Sequence, residues 1–182
     1  MTGAPIEVIL VDERDRDIGR CEKLLAHEQG LLHRAVSVFI FDGQGRWLVQ
    51  RRATGKYHSG GLWSNAACTH PRGGESLEDA VRRAAREELG AELTAVTPAL
   101  PFRYRAAVGN GLVEHEYDHV FTAHLAGPLA PVAEEVAEVA WQPREALEHA
   151  VATAPATFTP WFRMLFPLVA AHRAAATVPS AT

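Results

Sequence analysis

The stretch ESLEDAVRRAAREELGA at residues 75–91 decides the fold, because it has the features of a capped amphipathic helix. Ser76 is a good N-cap with Asp79 three residues later, a variant of the capping box. An apolar stripe follows at helical spacing, and Gly90 is a natural stop. The stripe consists of Leu77, Val81, Ala84, Ala85 and Leu89. The sequence therefore predicts a helix from about Leu77 to Leu89.

Strand-like segments lie on both sides of this helix in the chain. Val36, Val38 and Ile40 belong to a strand that is covered on both faces, and the turn DGQG at residues 42–45 leads into a returning strand at Trp47–Arg52. Ile6–Val11 is a short apolar run that a charged turn follows. Further strands are predicted at Leu93–Val96, Phe102–Ala107, Glu114–Leu125 and Val136–Trp141, and further helices at Arg144–Ala152 and Trp161–Ala175. Because strands and helices are mixed rather than strictly alternating, we predict an α+β fold, an α/β/α sandwich in which helices flank a mixed sheet.

Composition is that of an ordinary globular domain. The chain has 182 residues, of which 47% are hydrophobic and 22% charged, and a formal net charge of −4. These values exclude a disordered or fibrous chain and disfavour a nucleic-acid partner. No apolar run approaches the roughly 20 residues that cross a bilayer. No secretory signal is visible, and Cys21 and Cys68 alone do not form a disulfide framework, so we expect a cytoplasmic monomer without a membrane partner.

Histidines and paired glutamates suggest a metal centre. Glu114 and Glu116 are two residues apart, so on a regular strand they point to one face while His115 points to the other. Imidazole and carboxylate together suit a divalent transition metal. The candidate histidines are His27, His33 and His70. Their spacing alone does not distinguish a metal site from solvated surface residues.

A Gly-punctuated segment at residues 53–75 holds a candidate reactive thiol. Long loops in compact domains are usually functional, and this one carries Cys68 beside His70 and near Arg72. Such surroundings could activate a thiol or let it donate a proton. A lone cysteine is, however, usually a small buried hydrophobic residue. The local sequence leaves both interpretations open.

Charged side chains suggest that the protein binds two further groups, a Mg²⁺ ion and a phosphate. Glu88 lies near the C-terminal end of the predicted helix, where an acidic residue opposes the helix dipole. Either neighbouring arginines compensate for it, or a bound Mg²⁺ does. Basic side chains that suit a phosphate are Lys23, Arg51, Arg52 and Lys56. Arg51 and Arg52 are neighbours on a predicted strand and face opposite ways, so only one of them reaches a given ligand.

Residues 69–91 resemble the Nudix box, GX5EX7REUXEEXGU, with Thr69 in place of its first glycine and Ala84 in place of a glutamate. Motifs spread over roughly residues 6–172 resemble the type I isopentenyl diphosphate isomerases, in the same order. These motifs are Glu22-Lys23, Arg51-Arg52-Ala53, Trp63-Ser64-Asn65, Cys68-Thr69-His70-Pro71, Phe102-Arg103-Tyr104, Glu114-His115-Glu116 and Thr159-Pro160-Trp161. The Cys-x-His-Pro and Glu-x-Glu elements are specific in combination, whereas the Nudix box alone is not.

The resemblance implies one domain over residues 1–182, with a Nudix core at about residues 30–170. Residues 1–29 would form an N-terminal extension that carries ligands, and residues 176–182 a disordered tail. The implied reaction converts isopentenyl diphosphate into dimethylallyl diphosphate. The alkene is protonated to a tertiary carbocation, and a proton is then lost from the neighbouring carbon.

The resemblance also implies catalytic roles. Cys68 and Glu116 would flank the substrate as acid–base groups, and Tyr104 would assist Glu116. The ring of Trp161 would stabilise the carbocation by a cation–π contact. Without the resemblance, Tyr104 is better interpreted as an ordinary strand aromatic, and Trp161 is equally well interpreted as a core aromatic just inside a helix start.

Ligand roles follow from the same resemblance. One Mn²⁺ or Zn²⁺ would be bound by His27, His33, His70, Glu114 and Glu116. A Mg²⁺ ion would bridge Glu88 and the substrate diphosphate, together with the Cys68 carbonyl. The diphosphate would be neutralised by Lys23, Arg52 and Lys56. Some members of the family have an arginine at the position of Ala84, and whether Arg83 replaces that phosphate contact stays open.

Two other functions share parts of this pattern. A Mg²⁺-dependent Nudix hydrolase of a nucleoside or other diphosphate would use the acidic helix but has no need of Cys68 or of converging histidines. A non-catalytic ligand-binding module would keep the fold and lose the acidic residues, whereas Glu75, Glu87 and Glu88 are all present here.

Overall fold

The computed structural model describes residues 6–176 of the chain. Residues 1–5 and 177–182, which include most of the predicted tail, lie outside the described residues. The helices are α1 (Lys23–Gln29), α2 (Leu77–Leu89), α3 (Arg144–Thr153) and α4 (Pro160–Ala176), with a 3₁₀ turn at Pro155–Thr157. The strands are β1 (Glu7–Val11), β2 (Asp17–Glu22), β3 (His33–Phe41), β4 (Trp47–Arg52), β5 (Trp63–Ser64), β6 (Ala67–Thr69), β7 (Leu93–Gly109), β8 (Leu112–Leu125) and β9 (Val136–Gln142).

Helix α2 has the caps that its sequence predicts. The Ser76 hydroxyl accepts a hydrogen bond of 3.1 Å from the Asp79 backbone N–H. At the other end Gly90 adopts a left-handed conformation with φ of 57°, and its backbone N–H binds carbonyls of the last turn. The buried stripe of α2 packs on one face of β3 with Val36, Val38 and Ile40.

Strand β3 is the centre of a mixed sheet. It runs parallel to β8 from His33 to Ile40, and antiparallel to β1, β4 and β6. Its other face is covered by α4, where Phe39 and Phe41 pack near Phe162 and Leu165. Helices therefore lie on both faces of the sheet, and the predicted α/β/α sandwich is confirmed.

The sequence prediction was wrong about the strands after α2. Leu93–Val96 and Phe102–Ala107 are parts of one long strand, β7, and not two separate strands. Pro98 and Pro101 suggest an interruption, because proline cannot donate to a strand ladder. Strand β7 pairs with β8 in the described part of the sheet, so its prolines sit on an edge strand, where irregular pairing is tolerated.

Two elements before β3 were not predicted, although they position site residues. Strand β2 joins the sheet through β1, and the seven-residue helix α1 carries Lys23 and His27. The side chain of Glu22 caps α1 by accepting hydrogen bonds from Leu24 and Leu25. Short strands β5 and β6 also lie inside the segment interpreted as a loop.

None of the described helices is long and apolar enough to cross a membrane.

Candidate active site and metal centre

A cavity of about 840 Å³ gathers most of the predicted site residues. It opens beside β3, between the N-terminal segment and the C-terminal end of α2. Its walls include Lys23, Arg52, Lys56, Cys68, His70, Arg83, Glu88, Tyr104, Glu114, Glu116 and Trp161. His27 and His33 are fully buried and contact the cavity wall at Glu114. The chain thus brings together residues from both of its ends.

The histidines and Glu114 converge on one point. His27 comes from α1, His33 from the start of β3, His70 from the segment after β6, and Glu114 from β8. One ligand atom of each lies within 4.8 Å of the others. Glu116 adjoins this group, with Oε1 at 3.2 Å from Nε2 of His70. Glu114 and Glu116 share one face of β8, as their spacing predicts, and His115 bonds the Gly30 carbonyl instead.

Buried polar atoms show that this group fits a cation. The Nδ1 atoms of His27 and His33 contact backbone carbonyls at 2.5 and 2.8 Å, which directs both Nε2 atoms into the cluster. His33 Nε2 is buried without a hydrogen-bond partner among the residues that the structure describes, and Glu114 Oε2, although His27 Nε2 lies 2.9 Å from it, accepts no well-directed hydrogen bond from them. Unpaired polar atoms are costly inside a protein, and a divalent cation would satisfy both. Three imidazoles with a carboxylate are suitable ligands for such an ion.

His58 is a site residue that the sequence analysis missed. Its Nε2 lies 2.9 Å from Oε1 of Glu114, the oxygen not shared with His27. Burial lowers the pKa of His58, although the Glu114 carboxylate opposes that effect. His58 was not singled out because no spacing pattern links it to the other histidines. Its place in the Gly-punctuated segment, two residues after Lys56, was the available signal.

Cys68 and Glu116 approach the cavity from opposite sides of β3. Cys68 lies on β6 and faces Ser37 of β3, while Glu116 lies on β8 and faces His33. Both line the same cavity. Burial, followed by the charge of Glu88, raises the pKa of the Cys68 thiol above its usual value. The thiol is therefore protonated at neutral pH in this environment.

Aromatic side chains form the remaining walls beside these groups. Tyr104 donates a hydrogen bond to Glu116, and burial raises the pKa of its hydroxyl. The indole N–H of Trp161 donates to the side-chain oxygen of Asn65 at 3.1 Å, which fixes the ring at the start of α4. The Trp161 side chain is buried and lines the cavity. An aromatic face and two acid–base groups thus border one space.

The cations that line the cavity come from separate elements. The guanidinium of Arg52 lies 5.3 Å from the Trp161 ring centroid, and the ammonium of Lys23 lies 5.0 Å from the Tyr57 ring centroid. Burial lowers the pKa of Lys23. Arg51 points to the other face of β4 and pairs with Glu138 at 3.0 Å. Of the two neighbouring arginines, Arg52 alone faces the cavity, as the strand geometry predicts.

The acidic residues of α2 divide into two groups. Arg83 binds both carboxylate oxygens of Glu75 at 2.8 Å and one oxygen of Glu87 at 3.0 Å. Glu88 instead accepts a hydrogen bond of 2.7 Å from the amide of Gln50. Burial raises the pKa of Glu88 to about 7. Arg83 therefore compensates for the negative charges of Glu75 and Glu87, while the carboxylate of Glu88 is available to bind a cation.

Arg83 has fewer free donors than its predicted role needs. Besides its carboxylate partners, it donates to the His70 carbonyl at 3.0 Å. A phosphate contact would require some of these bonds to be exchanged. The role of Arg83 in phosphate binding stays a prediction.

Comparison with known proteins agrees with this fold. The model of the NUDIX domain matches residues 31–162, and the chain belongs to that family. The DR0079 protein of Deinococcus radiodurans has a similar fold, with a TM-score of 0.73 and 21% identity over 90% of this chain and 99% of that one. A MutT protein from Methanosarcina mazei has a TM-score of 0.61 at 19% identity, covering 78% of this chain and 95% of its own.

Sequence relatives define the group within this family more narrowly. The isopentenyl-diphosphate Delta-isomerase of Burkholderia multivorans is 49% identical over 158 residues, which cover 87% of this chain and 89% of the relative. The isopentenyl-diphosphate Delta-isomerase of Leifsonia xyli is 46% identical over 171 residues, 92% of each chain. The chain is thus a member of the isopentenyl-diphosphate Delta-isomerase family.

Proposed function

We propose that the chain converts isopentenyl diphosphate into dimethylallyl diphosphate, with Cys68 and Glu116 as its acid–base groups. The observation that carries the proposal is the placement of these two residues on opposite sides of β3 around one cavity. Relatives named isopentenyl-diphosphate Delta-isomerase align with most of the chain. An enzyme that moves a double bond needs a group to add a proton and a second group to remove one.

The substrate gains one proton and loses another, so its composition does not change. One of the two groups gives a proton to the terminal alkene carbon, which leaves a tertiary carbocation. The other takes a proton from the neighbouring carbon, and the electron pair of that C–H bond becomes the new double bond. The protonated thiol of Cys68 and the carboxyl of Glu116, hydrogen-bonded to Tyr104, both line the cavity and would fill these two roles.

The cavity also protects the carbocation. The ring of Trp161 offers a cation–π contact, worth about 2 kcal/mol when water is excluded. Arg52, Lys23 and Lys56 would bind the diphosphate, which does not react and whose binding energy can hold the alkene in place. Exclusion of water matters because water would quench the cation.

Metal ions complete the proposal. His27, His33, His70, Glu114 and Glu116 would hold one Mn²⁺ or Zn²⁺, whose charge would alter the acidity of Glu116. Glu88 would hold a Mg²⁺ together with the diphosphate, since a buried carboxylate with one neutral hydrogen-bond partner accepts a hard cation readily. The cytoplasmic location, the monomeric state and the absence of nucleic-acid and membrane partners stay predictions.

The hydrolase alternative is less well supported. Ala84 replaces one glutamate of the Nudix box, and Arg83 forms ion pairs with the carboxylates of Glu75 and Glu87. Neither a hydrolase nor a binding module explains a buried group of three histidines with Glu114. The isomerase accounts for these residues and for Cys68 together.

Deuterium transfer tests the proposal directly. Incubation of the purified protein with isopentenyl diphosphate in D₂O should place label in the dimethylallyl product, followed by NMR. Cys68→Ala should lower the rate by about 10²-fold or more while its circular dichroism spectrum is unchanged. The matched control is Cys21→Ala on β2, away from the cavity lining, which should stay active. Full activity of Cys68→Ala would contradict the acid–base assignment, and phosphate release from nucleoside diphosphate sugars or dinucleotides at a useful rate would favour a hydrolase.

A further inference from the structure

Among the three cations proposed to bind the diphosphate, Lys56 is paired with a carboxylate in the structure. The Lys56 ammonium forms an ion pair with the Glu135 carboxylate, and both side chains line the cavity. The Lys56 side chain is 21% exposed and that of Glu135 is 36% exposed, so an entering ligand can reach the pair. Lys23 and Arg52 instead lie against aromatic rings.

The main chain around Glu135 is fixed to two other parts of the site. Val132 donates a backbone hydrogen bond of 3.0 Å to the Glu88 carbonyl at the end of α2. Ala53, directly after β4, donates one of 3.0 Å to the carbonyl of Glu135 itself. Because the backbone is held at both points, a separation of the Glu135 carboxylate from Lys56 would come from rotation of the side chain.

Glu135 also lies near the carboxylate proposed to hold Mg²⁺. Burial is the main cause of the raised pKa of Glu88, but Glu135 contributes to it and Lys56 opposes it. The three charged groups therefore interact with one another. A diphosphate that contacted both Lys56 and a cation on Glu88 would compete with the Glu135 carboxylate for the Lys56 ammonium.

We propose that Glu135 is a positioning residue that holds the Lys56 ammonium in the free enzyme and is replaced on Lys56 by a diphosphate oxygen when the substrate binds. The inference rests on the proposed function for the identity of the ligand. The exchange breaks one ion pair and forms another, so Glu135 lowers the affinity for any diphosphate. In return it keeps a flexible lysine oriented toward the cavity.

The test uses inorganic pyrophosphate with Mg²⁺, measured by isothermal titration calorimetry on the full chain. Glu135→Gln removes the charge and keeps the size of the side chain. We expect it to bind pyrophosphate about two- to fivefold more tightly, the upper part of the range for exposed ion pairs. With isopentenyl diphosphate, the change should appear in KM more than in kcat. The matched control is Glu134→Gln, since Glu134 lines the same cavity and should alter affinity less than about twofold.

A double-mutant cycle shows whether the effect passes through Lys56. In a Lys56→Gln background, Glu135→Gln should no longer strengthen pyrophosphate binding, because the partner that it occupied is gone. Unchanged or weaker binding by the single variant would overturn the proposal, as would a gain that persists without Lys56. A raised Mg²⁺ requirement would overturn it too, since Glu135 would then be a cation ligand. The wild-type isomerase assay in D₂O tests the proposed function separately, because pyrophosphate binding does not depend on isomerisation.

Discussion

The hydroxyl of Tyr104 donates a hydrogen bond of 2.7 Å to Oε2 of Glu116, and both side chains are buried. The other carboxylate oxygen, Oε1, lies 3.2 Å from Nε2 of His70. The two oxygens of Glu116 therefore have different partners, the tyrosine on one side and the histidine cluster on the other. A proton that Glu116 gives or takes on the Oε2 side must be accompanied by a change in its bond to Tyr104.

Removal of the Tyr104 hydroxyl should consequently slow the reaction more than it weakens substrate binding. For Tyr104→Phe we expect kcat to fall by about 10²-fold, the lower part of the range for positioned acid–base groups. KM should change little, because the cations proposed to bind the diphosphate are intact. Steady-state kinetics with isopentenyl diphosphate measure both. Tyr117→Phe is the control, since Tyr117 lies beside His119 on the other face of β8. A raised KM at constant kcat would mean that Tyr104 only shapes the cavity.

The fold was predictable where local sequence and tertiary packing agree. Helix α2 runs from Leu77 to Leu89 as its caps and stripe indicate. Helix α1 was missed because seven residues are too few for a clear periodic pattern, and because Leu24 and Leu25 are 45% and 41% exposed rather than buried. Its stability comes from the Glu22 cap and from packing, which propensity does not report.

The site was predictable mainly through motifs. The motifs name the residues, and the two-residue spacing correctly gives Glu114 and Glu116 a common face. Contacts between residues far apart in the chain were not predictable, because they depend on tertiary structure. His58 beside Glu114 and Glu135 beside Lys56 are such contacts, and no local pattern in the sequence marks either pair.

A His27 variant tests the metal centre. His27→Gln should weaken binding of Mn²⁺ or Zn²⁺ by at least about 100-fold, since even the partners of metal ligands are worth about 10- to 100-fold. Metal content after dialysis, measured by inductively coupled plasma mass spectrometry, should fall accordingly. Added metal should no longer raise Tm. His149→Gln on the exposed side of α3 is the control. Equal metal content in both variants would contradict the proposed ligand set.

A substitution at Gly90, just after α2, tests how closely the helix end packs against residues 130–135. Gly90 has φ of +57°, and a Cβ there would collide with the Ala130 carbonyl oxygen. Gly90→Ala should therefore lower the free energy of unfolding by about 2 kcal/mol or more. Urea unfolding measures the change. Gly43→Ala is the control, since a Cβ at Gly43 meets nothing within 4 Å. A loss below about 0.5 kcal/mol, the range of neutral surface substitutions, would show that the segment moves aside freely.

The protonation state of Cys68 can be followed by alkylation, in a Cys21→Ser protein that leaves Cys68 as the single thiol. Burial and then the charge of Glu88 raise the pKa of Cys68 above its usual value, and only the thiolate reacts with iodoacetamide. The thiol form is favoured in the folded protein, so the rate should be low at pH 7 and rise with pH up to about pH 9.5 without levelling. Mass spectrometry gives the rate at each pH, and circular dichroism confirms that the protein stays folded. A rate that levels off below about pH 8.5, the usual cysteine value, would mean that the cavity stabilises the thiolate, and Cys68 would then start the reaction as a base and not as a proton donor.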